Sequence, residues 1–202
     1  MEVLPYGRDG LLLELPSLAE VQALHADLGA AGFGLEELVP AALTVLVVAA
    51  PAELERIRRW LAGWRPRRHR AAGEGPAVEI PVRYDGPDLA AVAEHAGCPV
   101  EEVVRLHTAG RYTVAFCGFA PGFGYLTGGP AALHVPRHPE PRTSVPAGAV
   151  GLAGEFTGVY PRSSPGGWQL IGRTEVAVFD PDRDPPALLA PGTRVSFTAV
   201  DR

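Results

Sequence analysis

Arginine forks, closely spaced glycines and a few histidines carry the chemistry this sequence can offer. Between Gly118 and Thr174 the chain reads GFAPGFGYLTG, then PRHPEPRTSVPAGAVGLAG, then TGVYPRSSPGGWQLIGRT. Glycine permits close backbone approach and proline fixes φ, so a stretch rich in both specifies unusual loops of the kind that frame a site. Arg137, Arg142 and Arg173 each present a planar fork able to hold a carboxylate or phosphate bidentately, with a surface ion pair as the alternative use. Ser164, Gly166 and Gly167 lie in the run Ser163-Ser164-Pro165-Gly166-Gly167, whose hydroxyls and approachable N–H groups suit an oxyanion. His107 closes a helix-like run, where it either serves the helix dipole or works in a site. His134 and His138 flank Pro136-Arg137 with no third ligand in view, so no metal is expected. Four aromatics, Phe119, Phe123, Tyr125 and Trp168, sit on the same glycine-rich loops. They are too many to enclose in one small barrel, and at least one is expected to stay exposed near the arginines as a partner surface.

All 18 basic residues are arginine, and lysine is absent. Schiff-base chemistry, a phosphate-loop lysine and a lysine general base are thereby excluded. No GxxxxGK[ST], GxSxG or GxGxxG pattern occurs, and no nucleophile stands beside its own base. The formal charge of −5 argues against nucleic acid as the main partner. The cluster Arg56, Arg58, Arg59, Arg65, Arg67, Arg68 and Arg70 reads as a solvated helix end running into a linker. Cys98 and Cys117 have neither metal-ligand spacing nor the density of a disulfide framework and are expected reduced. No leader and no apolar run of membrane-spanning length is visible, so a cytoplasmic protein without a membrane partner is expected.

The elements that must position these groups fall into two blocks. Glu2 to Tyr6 and Leu11 to Leu15 read as a hairpin. Ser17 caps a helix with Glu20 three residues on, and Leu35 to Val39 with Leu43 to Ala49 read as a second strand pair. Pro51 opens a second amphipathic helix. This ββαββα pattern over residues 1–65 predicts an α+β sandwich of the ferredoxin-like kind. Residues 66–77, rich in Arg, Gly and Pro, read as a linker. Residues 78–202 open with a strand at Val78 to Tyr84 and two helices, one after Asp88 and one after Pro99. Short strands follow at Tyr112 to Phe116, Val150 to Ala153, Trp168 to Ile171, Val176 to Phe179 and Arg194 to Ala199, a barrel or sandwich pattern.

Several segments, taken in order, resemble the family variously named as the B subunit of 5-oxoprolinase, Kip-type inhibitor of sporulation histidine kinase and allophanate hydrolase subunit 1. They are Ile80-Pro81-Val82-Arg83-Tyr84, Leu106-His107-Thr108, Gly118-Phe119-Ala120-Pro121-Gly122-Phe123, Val145-Pro146-Ala147-Gly148, and Ser164-Pro165-Gly166-Gly167-Trp168 through Gly172-Arg173-Thr174. One departure is Phe156, where the resemblance leads one to expect glutamine before Thr-Gly. The resemblance implies a ferredoxin-like domain followed by a cyclophilin-like β-barrel. It also implies a homologous C subunit and a separate A subunit that together use ATP, with Mg, to convert 5-oxoproline to glutamate, the chain being inactive alone. On that reading His107 and Arg173 are catalytic, and Arg137, Arg142, Ser164, Gly166 and Gly167 bind substrate or phosphate. The same resemblance implies, as alternatives, inhibition of a histidine kinase or a place in allophanate or urea breakdown.

Overall fold

The computed structural model describes residues 1–66 and 75–201. Arg67, Arg68, Arg70 and the middle of the linker expected at 66–77 lie outside the described residues. The chain divides into two compact units, Met1–Gly73 and Glu74–Arg202.

In the first unit, strand β1 (Glu2–Tyr6) pairs with β2 (Gly10–Glu14), and helix α1 (Leu18–Ala30) follows. Ser17 begins the helix as its sequence position predicts, its side chain accepting from the Glu20 N–H at 3.3 Å. Strands β3 (Leu35–Pro40) and β4 (Thr44–Ala49) then lead to α2 (Pro51–Gly63), which has proline in its first turn. All pairs are antiparallel, in the order β1-β2-β4-β3. Because side chains alternate across a strand, Leu11, Leu13, Val45, Val47 and Ala49 share one face. That face forms one buried cluster with Val21, Leu24 and Leu28 of α1 and Leu54, Ile57 and Leu61 of α2.

The second unit is built on a seven-stranded sheet in the order β12-β9-β10-β7-β6-β13-β5. Its strands are β5 (Ala77–Val82), β6 (Tyr112–Cys117), β7 (Gly124–Thr127), β9 (Ala149–Ala153), β10 (Phe156–Val159), β12 (Gln169–Arg173) and β13 (Arg194–Ala199), with β8 (Arg142–Val145) and β11 (Ser164–Gly166) forming a separate pair. The β5–β13 pair is parallel and the others are antiparallel. Past the end of β5, Arg83 exchanges backbone hydrogen bonds with Arg173 at 2.8 and 2.9 Å. The two edges of the sheet therefore meet, and the sheet is a nearly closed barrel, which leaves few edge groups unpaired. Helices α3 (Leu89–Ala96) and α4 (Val100–Ala109) pack against β12 and β13 respectively. The barrel core gathers Ile80, Val82, Val114, Leu126, Val150, Ile171 and Phe197, all at most 1% exposed.

The strand expected at Val176 to Phe179 does not form. Its backbone pairs only through the Phe179–Ala187 bridge and the Leu188 N–H to Val178 carbonyl bond, and Pro181, Pro185 and Pro186 deny the following residues the donors a ladder needs. Four strands escaped the sequence reading: β7, β8, β10 and β11 are three or four residues long and too rich in glycine, serine or threonine to show apolar alternation.

Candidate functional site

An aromatic cluster separate from the barrel core joins the loops that the sequence marks out to strands β7, β9, β10 and β12, Tyr125 lying on β7 rather than on a loop. Phe123, Val145, Ala149, Ala153, Tyr160, Trp168 and Leu170 are buried together, with Ala120, Tyr125 and Phe156 packed against them. Phe123 is its hub, meeting Tyr125 at 5.1 Å, Tyr160 at 5.3 Å and Trp168 at 5.3 Å, each edge to face. Such pairs contribute about 0.5–1.5 kcal/mol apiece beyond area burial. Two glycines make the cluster possible. A Cβ on Gly158 would stand 2.9 Å from Phe123 Cζ and 3.0 Å from Trp168 Cζ3, and one on Gly166 would collide with the Tyr160 ring.

Beside this cluster lies a cavity of about 690 Å³, within the range of small-molecule sites. Phe119, Phe123, Tyr125, Phe156, Tyr160 and Trp168 give it aromatic walls, and Pro136, Pro141, Pro165, Gly166 and Arg137 complete much of the rim. Arg137 is exposed and makes no ion pair with any described residue. Its charge reaches Tyr125 and Tyr160. Burial pushes both phenols up, and the Arg137 guanidinium pulls each partly back.

Phe119 occupies an unusual turn at this rim. The Ala120 N–H donates to the Gly118 carbonyl at 2.8 Å across it, and its φ is 68°. This is a γ-turn of the rare positive-φ kind. Among the described residues no other non-glycine has positive φ. Strain of roughly 1–3 kcal/mol is typical for such a residue. It holds Phe119 59% exposed, with its ring edge-on to Phe123 at 5.3 Å.

The wall that carries Arg137 is held from beneath by Asp88, a residue sequence reasoning passed over as a turn. Asp88 stands at the N-cap of α3, yet its carboxylate makes no cap bond. One oxygen accepts from the Leu170 N–H at 2.6 Å and the other from Arg142 Nη2 at 2.6 Å, with His138 Nε2 at 3.1 Å from the latter. Arg142 Nη1 also donates to the Trp168 carbonyl at 3.3 Å. The His138 N–H donates to the Gly167 carbonyl at 2.7 Å, and Gln169 Nε2 to that of Pro136 at 3.0 Å. Loop 136–142 is thus strapped to the segment bearing Trp168. The one sequence signal for Asp88 was its place at a helix entry, which predicts a cap, not a latch.

The residues expected in a site are therefore dispersed. Arg137, Gly166, Phe119, Phe123, Tyr125 and Trp168 line the cavity, whereas His107, Arg142, Ser164, Gly167 and Arg173 are not among its lining. His107 is fully buried beside Tyr112 and Phe197. Its Nδ1 lies 2.7 Å from the Tyr84 hydroxyl, while Nε2 has no partner. Burial pushes its imidazole down to about 3, so it is neutral at pH 7. Arg173 pairs with Asp85 at 2.8 Å on the surface. Ser164 Oγ is buried without a hydrogen-bond partner. Of the four aromatics expected at a partner surface, Phe119 is the exposed one, Tyr125 is half-buried, and Phe123 and Trp168 are buried. Phe156 is edge-on to Tyr125 at 5.6 Å; the departure from glutamine falls inside the cavity.

A nearly closed β-barrel bearing an aromatic cavity of small-molecule size, joined to a small α/β unit, defines the class. Residues 1–189 match the model of the carboxyltransferase domain, subdomains C and D, and the chain belongs to that family. It is 51% identical over 147 residues to the 5-oxoprolinase B subunit of Escherichia coli O157:H7. That match covers 71% of the chain and 66% of the relative, so the chain spans just under two thirds of this relative's length. Among solved structures, TTHA0988 shares 40% identity at a TM-score of 0.77, covering 96% of this chain and 40% of that one. The urea carboxylase of Kluyveromyces lactis shares the fold at a TM-score of 0.74 and 18% identity, covering 98% of this chain and 22% of that one. Among the described residues no helix is long and apolar enough to cross a membrane.

Proposed function

We propose that this chain is a B-type component of a 5-oxoprolinase, acting with a homologous C subunit and a separate A subunit in the ATP-dependent opening of 5-oxoproline to glutamate. The observation that carries this reading is the 51% identity to a relative named as the B subunit of 5-oxoprolinase. The finer fold names belong to the same proposal. The order β1-β2-β4-β3 supports a ferredoxin-like reading, with the last strand moved to the front of the chain, and the nearly closed sheet supports a cyclophilin-like one for the second unit.

The cavity supports a binding role within such a complex. Its lining offers one charged side chain, Arg137, and two phenols that burial keeps protonated; general acid–base work needs a group poised near the working pH. The groups that react are thus assigned to the partners, and His107 and Arg173 to the core and the barrel seam. ATP does not fit these residues. Its triphosphate brings several negative charges against one guanidinium and aromatic walls, so no phosphoryl-transfer step is assigned to the residues that line this cavity.

Glutamate release from L-5-oxoproline, measured with the chain, its C and A counterparts and every subset, tests the reading. The full set is expected to release glutamate, and omission of this chain to abolish it. Undiminished release by C and A without it, or turnover of allophanate in place of 5-oxoproline by the full set, overturns the proposal.

A further inference from the structure

The cavity has a definite polarity. Its walls are aromatic faces and edges fixed by mutual packing, and its rim carries a guanidinium that no described carboxylate neutralises. The contrast with nearby arginines is informative. Arg142 and Arg173 are each paired with an aspartate, Asp88 and Asp85, while Arg137, on the loop that Asp88 and Arg142 hold down, is left with its fork open. A guanidinium fork matches a carboxylate bidentately, and an aromatic wall accepts a flat ring. Two like or opposite charges would be poorly served there. A second anionic group would face phenols that stay protonated and apolar ring edges, and a cation would meet Arg137.

We infer that this cavity is a receptor for a small monocarboxylate carrying a flat ring, with Arg137 on the carboxylate and the ring against Tyr125, Phe156 and Trp168. This deepens the 5-oxoprolinase reading and rests on it for the choice of acid, since 5-oxoproline is a near-planar lactam bearing one carboxylate. At about 690 Å³ the cavity is larger than such an acid needs. The remaining space admits a group supplied by a partner to the exposed lactam carbonyl, and Phe119, at the rim, borders that entrance.

Titration calorimetry on the chain, with L-5-oxoproline, its neutral amide, benzoate and benzamide as probes, tests the assignment. Each acid is expected to bind at least tenfold more tightly than its amide, and Arg137→Gln to erase that difference while leaving the melting temperature within about 1 °C. Arg137→Lys, which keeps charge but not the fork, is expected to restore only part of the preference. If benzoate binds through Arg137 but L-5-oxoproline does not, the carboxylate receptor stands and its assignment to 5-oxoproline falls, while glutamate release by the full set still decides the 5-oxoprolinase reading. If neither acid binds, or amides bind as well as acids in the unaltered chain, the receptor is overturned whatever the assembled complex does.

Discussion

Asp88→Ala removes the latch under the Arg137-bearing loop, and its cost follows from two contacts. The carboxylate is 8% exposed and takes two short bonds, from the Leu170 N–H at 2.6 Å and from Arg142 at 2.6 Å. Truncation strands a buried N–H, a penalty of about 1–3 kcal/mol, and breaks a largely buried ion pair, for which about 3–5 kcal/mol is typical. Arg142 retains 29% exposure and can turn to water, so the lower end of that range applies, and a total of about 4–6 kcal/mol is expected. No cap energy is included, because the carboxylate does not cap α3. Urea unfolding of Asp88→Ala, Arg142→Ala and the double variant measures this directly. The two changes should be less than additive by about 1–3 kcal/mol. Asp88→Asn, which can still accept from Leu170, should cost roughly half as much as Asp88→Ala. L-5-oxoproline affinity should fall in all three single variants, since loop 136–142 is no longer held against the Trp168 segment. A loss near 1 kcal/mol with no coupling to Arg142 would be the signature of a simple cap change and would refute the latch.

Two further expectations are more compact. Gly158→Ala drives a methyl to 2.9 Å from Phe123 Cζ and 3.0 Å from Trp168 Cζ3; overpacking of about 1–3 kcal/mol should appear in chemical unfolding, and the displaced rings should enter the cavity and weaken acid binding at least tenfold, whereas unchanged affinity would show that the rings yield elsewhere. His107 governs the acid limb of stability: its folded value is about 3 against 6.5 for the free group, so the unfolded chain binds the extra proton, stability is complete above pH 6.5, and it declines by about one proton's worth of slope as pH falls toward 3. His107→Gln should flatten that limb in melts taken between pH 4 and 7, and an unaltered slope would place the proton uptake elsewhere.

Much of the first unit was legible because its signals are local. Ser17 three residues before Glu20, Pro51 at a helix start and the apolar run read as a strand at Leu43 to Ala49 each act within one element, and the structure has the cap, the helix and strand Thr44–Ala49. The second unit was legible in its two helices and its longer strands. It was illegible in β7, β8, β10 and β11, which are too short and too rich in glycine, serine or threonine to show apolar alternation, although β7 pairs with the preceding β6 and β10 with the preceding β9. The run of glycine, proline and aromatic residues from Gly118 onward supplies much of the candidate cavity, since Phe119, Phe123, Tyr125, Gly166 and Trp168 all line it.

What the residues alone determine is the inventory: arginine as the sole basic side chain, aromatics on glycine-rich loops, and two blocks of elements that each bury one face. Which arginine remains available was decided in three dimensions. Arg137, Arg142 and Arg173 are alike in sequence, each a fork near glycine or proline, but Asp88 lies 54 positions from Arg142 and Asp85 lies 88 from Arg173. Only the packing of α3 and its entry loop on β12 brings those carboxylates into reach, and it leaves the fork of Arg137 open. His107 was decided the same way. Its place at a helix end is local and ambiguous, and it became a neutral core residue because α4 docks against β13, which sets Tyr84, Tyr112 and Phe197 around its ring. Charge pairing and desolvation act over a few ångströms of space whatever the separation along the chain, so they are fixed by the tertiary fold.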